Sequence, residues 1–210
     1  MHYEFDKFYD KDDLSFGSEP SPELKELVST LDPGGQVLDL GAGDGRNSLY
    51  LARNGLNVTA IDNSLVGLKK LIRFAGQNGL PGSVTTICSD VRYLRYAVSK
   101  FDLVVAVTIF DHLSPEDISP LFEQISDSLA PGGFIFVRVH TIADPGYRHD
   151  HRHSSELAKM IRHYFAPDEL KSLMKDEFVL KSYAEKVTVD DTHGPRHFHG
   201  FASAIGQKIK

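Results

Sequence analysis

The chain of 210 residues is acidic, with a formal net charge of -6 at pH 7. Hydrophobic residues make up 41% of it and charged residues 25%, which predicts a single domain over residues 1–210 with a sizeable core. It has neither an apolar run of about 18 residues nor a basic-then-apolar leader, so we expect a soluble, cytoplasmic protein without a membrane segment. The acidic balance disfavours broad binding to nucleic-acid phosphates and favours a small-molecule ligand.

The first 20 residues mix aromatic and acidic side chains without a clear helical or strand period. They are compatible with two roles, a lid over a binding site or a segment packed against the flank of the domain. A helix is predicted to begin next, because Ser21 is a favoured cap and Pro22 is favoured in a first helical turn. The Asp-Pro-Gly-Gly sequence at residues 32–35 is expected to end it.

The stretch from Val37 to Ala52 predicts a strand, a glycine turn and a helix. Glycines at positions 41, 43 and 45 allow a sharp bend and a close approach of a ligand to the main chain. The helix that follows directs its unpaired N–H groups and positive dipole end at the turn, which favours a ligand with anionic or hydrogen-bond-accepting groups. Arg46 interrupts the spacing of a dinucleotide fingerprint, so the turn is not expected to bind NAD or FAD.

Three acidic residues are predicted near the carboxyl ends of successive strands. Asp39 lies in the first strand, Asp62 ends a strand over residues 58–61, and Asp90 follows a strand over residues 84–88. A carboxylate at Asp62 suits the two ribose hydroxyls of a nucleoside, and the alternative for this residue is a helix cap. The single cysteine, Cys88, falls in an apolar run and is expected to be buried and inert.

Apolar runs predict two further strands. Residues 101–107 are expected to form a central strand buried on both faces, followed by a helix capped at Ser114. A turn at residues 130–133 leads to a strand over residues 134–139. The alternation of strands and helices predicts an α/β fold, a doubly wound sheet with helices on both faces and ligands near the Gly41–Gly45 turn.

The last third of the chain changes character. Residues 140–165 lose periodicity, and three histidines and two arginines fall within residues 147–153, which predicts an insertion that shapes a binding pocket. A short helix over residues 167–174 and strands over residues 178–184 and 198–205 follow. Internal repeats and low-complexity linkers are absent from the sequence.

The D-x-G-x-G-x-G pattern that begins at Asp39 resembles motif I of the class I S-adenosylmethionine-dependent methyltransferases. The longer sequence from Gly43 to Leu51, followed by Asn54-Gly55 and by residues 58–62, is similar to the tellurite-resistance (TehB-like) group of small-molecule methyltransferases. This resemblance implies a Rossmann-like, seven-stranded sheet whose last strand is antiparallel, and S-adenosylmethionine as cofactor. A negative Asp39 suits the ammonium and sulfonium of that molecule and would repel a pyrophosphate.

The resemblance also implies roles for individual residues. The acid at Asp90 is expected to meet the adenine amino group and Val91 to pack on the ring, and the alternative for Asp90 is an acid in a surface turn. The predicted cofactor-binding residues are Asp39, Gly41, Ala42, Gly43, Gly45, Asn47, Asp62, Asn63, Asp90, Val91 and Thr108.

The leading hypothesis is methyl transfer from S-adenosylmethionine to a small acceptor. Arginines and histidines near the carboxyl end predict an anionic acceptor, and His193, Arg196 and His197 are the predicted catalytic residues. A general base is needed only if the nucleophile is protonated, and the candidates are His112, His140, His193 and His197. Thr108 to Asp111 lack the N/D-P-P-Y/F sequence, so base flipping and methylation of nucleic-acid bases are not expected.

The identity of the acceptor and the question of a metal site stay open at this point. The basic residues that the TehB-like group places in its last hairpin do not align here, so a tellurite or selenite acceptor is not indicated. A rival hypothesis is a metal-binding or metal-sensing module on a methyltransferase-like fold, built on the cluster His193, His197 and His199. The leading hypothesis needs no metal. The sequence is compatible with either a monomer or a homodimer.

Overall fold

The computed structural model describes residues 3–10, 12–80, 83–148, 160–190 and 196–209. Its helices are α1 (Tyr3–Tyr9), α2 (Pro22–Val28), α3 (Arg46–Arg53), α4 (Leu65–Gln77), α5 (Pro115–Ser128), α6 (Pro145–Arg148) and α7 (Glu169–Met174). Its strands are β1 (Gln36–Leu40), β2 (Asn57–Asp62), β3 (Val84–Cys88), β4 (Phe101–Val107), β5 (Leu129–His140), β6 (Phe178–Asp190) and β7 (His197–Lys208). Single 3-10 turns cover Val91–Tyr93 and Phe110–His112.

The strands form one seven-stranded sheet in the order β3-β2-β1-β4-β5-β7-β6. β1 pairs with β2, and β2 with β3, in parallel, whereas β7 is antiparallel to both β5 and β6. Neighbouring parallel strands must be joined by crossover connections, which are usually helices. This requirement explains why apolar runs alternate with amphipathic helices along the first part of the chain. The prediction of a Rossmann-like sheet with an antiparallel last strand is confirmed.

The chain divides into two compact units. The first comprises residues 1–95 and 100–105, and the second comprises residues 96–99 and 106–210. In the first unit, Leu38, Leu49 and Leu71 belong to a core that is closed to solvent. Helix α4 of this unit begins as its sequence requires, because the hydroxyl of Ser64 accepts a hydrogen bond from the N–H of Gly67 at 3.0 Å.

Helix α1 of the first unit was not expected from the sequence. Its seven residues are too few to show a helical period, and short helices depend on tertiary packing for stability. Here α1 packs against α4, and Tyr9 at its end is buried. The amino-terminal segment is therefore a defined part of the first unit.

The core of the second unit contains a cluster of phenylalanines. Phe122 packs against both Phe110 and Phe178, with ring centroids 6.1 and 5.7 Å apart. Strands β6 and β7 are longer than predicted because they pair along their full lengths. The pairing runs from Phe178 opposite Lys208 to Asp190 opposite His197. Residues 130–133, predicted as a turn, are included in β5.

Two local expectations are corrected. Ser114 precedes α5, but its hydroxyl donates to the carboxylate of Asp117 at 2.8 Å and does not cap the helix backbone. Cys88 is exposed, because β3 is an edge strand of the sheet. Among the described residues, none of the helices has both the length and the apolar character that crossing a membrane requires.

Candidate active site

The glycine turn of the first unit connects β1 to α3. The N–H groups of Gly41 and Ala42 donate to the carbonyl of Ile61 at 2.8 and 3.0 Å, which ties the turn to the end of β2. Gly43 has a φ of +56°, and a Cβ on it would lie 2.6 Å from the hydroxyl oxygen of Tyr9. Only glycine fits this position, because a side chain meets both an unfavourable φ and an occupied space.

Asp62 closes the turn from the neighbouring strand. One of its carboxylate oxygens accepts from the N–H of Gly43 at 2.8 Å, and the other accepts from the N–H of Ser64 at 2.7 Å. Burial raises the pKa of Asp62 above its usual value, although these backbone donors act against the shift. Each carboxylate oxygen has a second lone pair, so Asp62 can still accept hydrogen bonds from a ligand.

Asp39 is buried beneath the same turn. Its carboxylate accepts a hydrogen bond from the hydroxyl of Ser48 at 2.6 Å. Burial raises the pKa of Asp39 to about 7; the charge of Asp62 adds to the rise, whereas the Ser48 hydrogen bond and the charge of Arg46 oppose it. Any cation that binds nearby stabilises the ionised form of such a buried carboxylate.

The contacts that α1 and the residues after it make with the turn are not evident from the sequence. The backbone N–H of Ser15 donates to Asp44 at 2.7 Å, and Asp44 forms an ion pair with Lys70 at 3.0 Å. Both charged side chains are buried, with exposed fractions of 2% for Asp44 and 4% for Lys70. No local pattern marks this pair, because Lys70 looks like an ordinary polar residue of an amphipathic helix.

The other predicted cofactor residues are placed as follows. Asp90 forms an ion pair with Arg92, in which Oδ2 of Asp90 lies 2.6 Å from Nη2 of Arg92. Val91, the residue between them in the sequence, is buried. Asn47 is buried in α3, and Asn63 follows β2. Thr108 belongs to the second unit, where it has a φ of +56° and donates its N–H to the carbonyl of Arg138 at 2.7 Å.

The second unit contains a carboxylate–histidine pair at the ends of two strands. Asp111 lies in the 3-10 turn after β4, and His140 is the last residue of β5. Asp111 accepts from the backbone N–H of His140 at 3.0 Å, and its second oxygen lies 2.6 Å from Nδ1 of the ring. From the sequence, His140 is one of several candidate bases, whereas Asp111 has no predicted role.

A second carboxylate–histidine pair lies in the same unit. Asp144 accepts from Nδ1 of His199 at 2.9 Å and from the N–H groups of Gly146 and Gly200. Burial acts to raise the pKa of Asp144, but the hydrogen bonds from His199 and Gly146 outweigh it and lower the pKa. The Nε2 atoms of His199 and His197 lie 2.8 Å apart. Asp144 was not singled out from the sequence, where an Asp-Pro pair indicates only a turn.

Two of the three predicted catalytic residues, Arg196 and His197, lie within the described residues. Arg196 is exposed and directly precedes β7, and His197 is half-buried at the start of that strand. His193 and residues 149–153 lie outside the described residues. His112 is held by the carbonyl of Met160, 3.1 Å from its Nδ1, and burial lowers the pKa of its imidazole.

The rival metal hypothesis is not supported by the comparisons with known proteins given below. Within the described part of the chain, the side chains that bring ligand-type atoms within 4.8 Å of one another are His140, Asp144 and His199. This set differs from the predicted His193, His197 and His199. Hydrogen bonds already engage its members, His140 with Asp111, and Asp144 with His199.

Three comparisons place the chain among known proteins. Residues 37–133 match the methyltransferase domain family. A 2-heptyl-1-hydroxyquinolin-4(1H)-one methyltransferase of Mycobacteroides abscessus is 27% identical over 156 residues, which are 72% of this chain and 68% of that protein. A probable S-adenosyl-L-methionine-dependent methyltransferase, TehB of Haemophilus influenzae, is 26% identical over 177 residues, 82% of this chain and 57% of its own length.

The fold comparison agrees with the sequence comparison. The crystal structure of Haemophilus influenzae TehB superimposes with a TM-score of 0.74 at 23% identity, covering 90% of this chain and 62% of that chain. A Burkholderia thailandensis 1,6-didemethyltoxoflavin-N1-methyltransferase with bound S-adenosylhomocysteine has a TM-score of 0.67 at 20% identity, with coverages of 90% and 77%. The sheet order and the glycine turn thus define a Rossmann-like methyltransferase fold.

Over residues 37–133 the chain is similar to the methyltransferase domain family, and it resembles TehB in sequence and in fold. The findings support S-adenosylmethionine as the cofactor, since the TehB relative is named for its dependence on this molecule and the Burkholderia thailandensis structure holds its product. The first unit suits this molecule, because two buried carboxylates, Asp39 and Asp62, favour a cationic ligand.

Proposed function

We propose that this protein transfers a methyl group from S-adenosylmethionine to a small-molecule acceptor that reacts as an anion. The observation that carries this proposal is the glycine turn of the first unit, closed by Asp62 and underlain by Asp39. S-adenosylmethionine, when bound, supplies an electrophilic methyl group on a sulfonium. The name of the Mycobacteroides abscessus relative gives a small hydroxylated compound as its substrate, which supports an acceptor of this size.

Residues of the first unit orient the cofactor in this proposal. Asp62 would accept hydrogen bonds from the ribose hydroxyls, and Asp39 would stabilise the positive charges. The acid at Asp90 would receive the adenine amino group beside Val91. Thr108 is assigned to the cofactor from the sequence. The remaining residues of the proposed cofactor site are Gly41, Ala42, Gly43, Gly45, Asn47 and Asn63.

The acceptor side of the proposal rests on residues of the second unit. Arg196 supplies a permanent positive charge, and His197 lies next to it with a hydrogen-bonded imidazole. His193 is assigned to the same group from the sequence. In a chain with a net charge of -6, a local group of cations favours a negatively charged acceptor.

The cofactor assignment is tested by calorimetric titration of S-adenosylmethionine and S-adenosylhomocysteine. We expect Asp62→Ala to weaken binding by about 1.5 to 3 kcal/mol, because two ribose hydroxyls lose a charged acceptor. Asp102→Ala serves as a control for removing a carboxylate from the same unit, since Asp102 accepts from the N–H of Gln36 at the other end of β1. Absence of binding by the unmodified protein would refute the proposed function, and an unchanged affinity in Asp62→Ala would refute only the role of this residue.

The affinity for S-adenosylmethionine is expected to depend on pH through Asp39. Because the pKa of Asp39 is raised to about 7, its carboxyl is mostly neutral at low pH and becomes an anion as the pH rises. We therefore expect the affinity to increase several-fold between about pH 6 and pH 7.5, with proton release on binding. Titrations in buffers of different ionisation enthalpy measure both effects. In Asp39→Asn, which keeps an acceptor for Ser48, the increase should disappear; its persistence would assign the titration to another group.

The acceptor assignment predicts a catalytic defect without a binding defect. Replacing Arg196 and His197 together with alanine is expected to lower turnover about tenfold or more, because the acceptor loses both its charge partner and its positioning. The affinity for S-adenosylmethionine should change little. Steady-state release of S-adenosylhomocysteine from a panel of thiols, amines, phenols and metalloid oxyanions provides the assay.

Lys181→Ala is the matched control, since Lys181 is an exposed cation on the neighbouring strand β6. It should leave turnover unchanged. Parental turnover in the Arg196/His197 variant would show that this end of β7 is structural and that the acceptor binds elsewhere.

A further inference from the structure

The ring of His140 is fixed in one orientation by a buried carboxylate. Asp111 is completely buried, whereas the side chain of His140 keeps 12% of its surface exposed. Because an ionised carboxylate only accepts hydrogen bonds, Nδ1 of His140 carries the proton of the 2.6 Å contact with Asp111. The lone pair of the imidazole is therefore on Nε2, the nitrogen that lies away from Asp111.

The carboxylate is itself held firmly in the fold. The carbonyl of Asp111 accepts from the N–H groups of Arg162 and His163, at 2.7 and 3.1 Å. Its two carboxylate oxygens bind the main chain and the side chain of the same residue, His140, so the ring cannot turn without losing a hydrogen bond. A carboxylate in this place also stabilises the imidazolium that forms when Nε2 accepts a proton.

Aromatic rings and the Asp144–His199 pair surround His140, whose ring centroid lies 5.0 Å from that of His199. The His140 centroid lies 4.5 Å from that of Phe201 and 6.4 Å from that of Tyr164, and Tyr164 lies 5.4 Å from Tyr147. About half of the surface of Tyr147 is exposed, 52%. Burial raises the pKa of Tyr164 to about 12, with help from the charges of Asp144 and Asp111, so its hydroxyl stays protonated and can donate a hydrogen bond. Such a setting suits a flat aromatic molecule with a polar substituent.

We propose that the Asp111–His140 pair is the general base of the methyl transfer and that the accepting atom is the oxygen of an aromatic hydroxyl group. This inference rests on the proposed function and names its acceptor class. The acceptor oxygen forms a bond to the methyl carbon while the bond from that carbon to sulfur breaks, and the hydroxyl proton passes to Nε2 of His140. The products are an aryl methyl ether and S-adenosylhomocysteine, and the imidazolium then releases its proton to solvent. Asp111 touches no reacting atom and acts as a positioning residue.

The test compares phenols of increasing acidity, from phenol to 4-nitrophenol, by release of S-adenosylhomocysteine. In His140→Gln we expect the turnover of phenol to fall about 100-fold or more, because a general base contributes on that order. The loss should be much smaller for 4-nitrophenol, which ionises without help. S-adenosylmethionine affinity, measured by calorimetry, should stay within about twofold, since the change acts on the proton and not on the cofactor.

A matched control is available in the same unit. His163 is also paired with a carboxylate, with 2.6 Å between its Nε2 and Oε1 of Glu169. His163→Gln removes the side-chain pair with Glu169 and keeps the backbone N–H that holds the carbonyl of Asp111, so it should produce no loss that varies with the acidity of the phenol. Asp111→Asn should lower kcat more than it changes KM, because it disturbs the orientation of His140 and not the binding of the acceptor.

A second readout needs neither acceptor nor cofactor. Long-range ¹H–¹⁵N spectra of histidine-labelled protein should show His140 protonated on Nδ1 and bare on Nε2, and Asp111→Asn should shift this tautomer balance. Protonation of Nε2 in the unmodified protein would overturn the proposal. So would a turnover loss in His140→Gln that is equal for all phenols, or a metal ion bound stoichiometrically by the unmodified protein and lost in that variant.

The outcome for the acceptor class is separate from that for the proposed function. Turnover of thiols, amines or oxyanions with no turnover of any phenol would overturn the aromatic hydroxyl and leave methyl transfer standing. A protein that fails to bind S-adenosylmethionine would instead refute the proposed function before any acceptor is tested.

Discussion

Gly43→Val is expected to abolish binding of S-adenosylmethionine, a loss of about 100-fold or more in affinity. Gly43 has a φ of +56°, which a β-branched residue adopts only under strain, and its Cβ would lie 2.6 Å from the hydroxyl oxygen of Tyr9. The valine would therefore displace Tyr9 or distort the turn that Asp62 holds through the Gly43 N–H. Calorimetric titration measures the loss, and thermal unfolding shows whether the variant is folded.

Two further variants separate the causes of this effect. Gly79→Val places the same residue at a φ of +72° where, among the described residues, no atom beyond its chain neighbours lies within 4 Å of the Cβ, so it reports the conformational strain. It should lower stability and leave binding intact. Tyr9→Ala combined with Gly43→Val removes the clash with Tyr9. Recovery of binding in this double variant would mean that the valine side chain itself does not obstruct the cofactor. The cofactor would then bind elsewhere than against Gly43, contrary to our assignment.

Lys70→Met is expected to lower the free energy of unfolding by about 3 to 5 kcal/mol. Lys70 and Asp44 form a 3.0 Å ion pair with exposed fractions of 4% and 2%, and Asp44 is not solvated when its partner is removed. The N–H of Ser15 also donates to Asp44, so the loss should extend to the packing of the amino-terminal segment. Urea denaturation monitored by circular dichroism gives the free energy.

A double variant and a surface pair provide the controls. Asp44→Leu with Lys70→Met removes both charges and should regain most of the lost stability, because apolar groups of similar volume replace a buried ion pair at little cost. Lys171→Met breaks an exposed pair with Asp168, whose exposed fractions are 55% and 68%, and should change stability by less than about 1 kcal/mol. Equal losses in the single and double variants would mean that packing of the methylene chain, and not charge, is what Lys70 contributes.

The fold and the glycine turn were predictable because both depend on local sequence patterns, the spacing of glycines and the apolar runs. The spacing of Gly41, Gly43 and Gly45 indicates positive φ values, and all three residues have them. Apolar runs mark β1, β2 and β4 because strands of a parallel sheet are covered on both faces. The amino-terminal helix escaped prediction, since its residues gain their conformation from contact with α4 and the turn, which no local period encodes.

The partners of the buried charges could not be predicted. Asp111 and His140 are 29 residues apart, and Asp144 and His199 are 55 apart. Their pairing depends on where the main chain places residues that end or follow β4 and β5, and on the register that sets His140 opposite Phe201. From the sequence, His140 was one of several histidines with no feature to rank it above the others.

The sequence by itself determined the class of fold and the strand ends at which the predicted cofactor residues lie, because backbone conformation and hydrophobic period are properties of neighbouring residues. Only the tertiary structure decided which acid meets which base. It showed the Asp44–Lys70 pair under the amino-terminal segment, the contact of Tyr9 with Gly43, and the two carboxylate–histidine pairs of the second unit. The reason is physical: a hydrogen bond between distant residues depends on strand register and on burial, and neither is a local property of the chain.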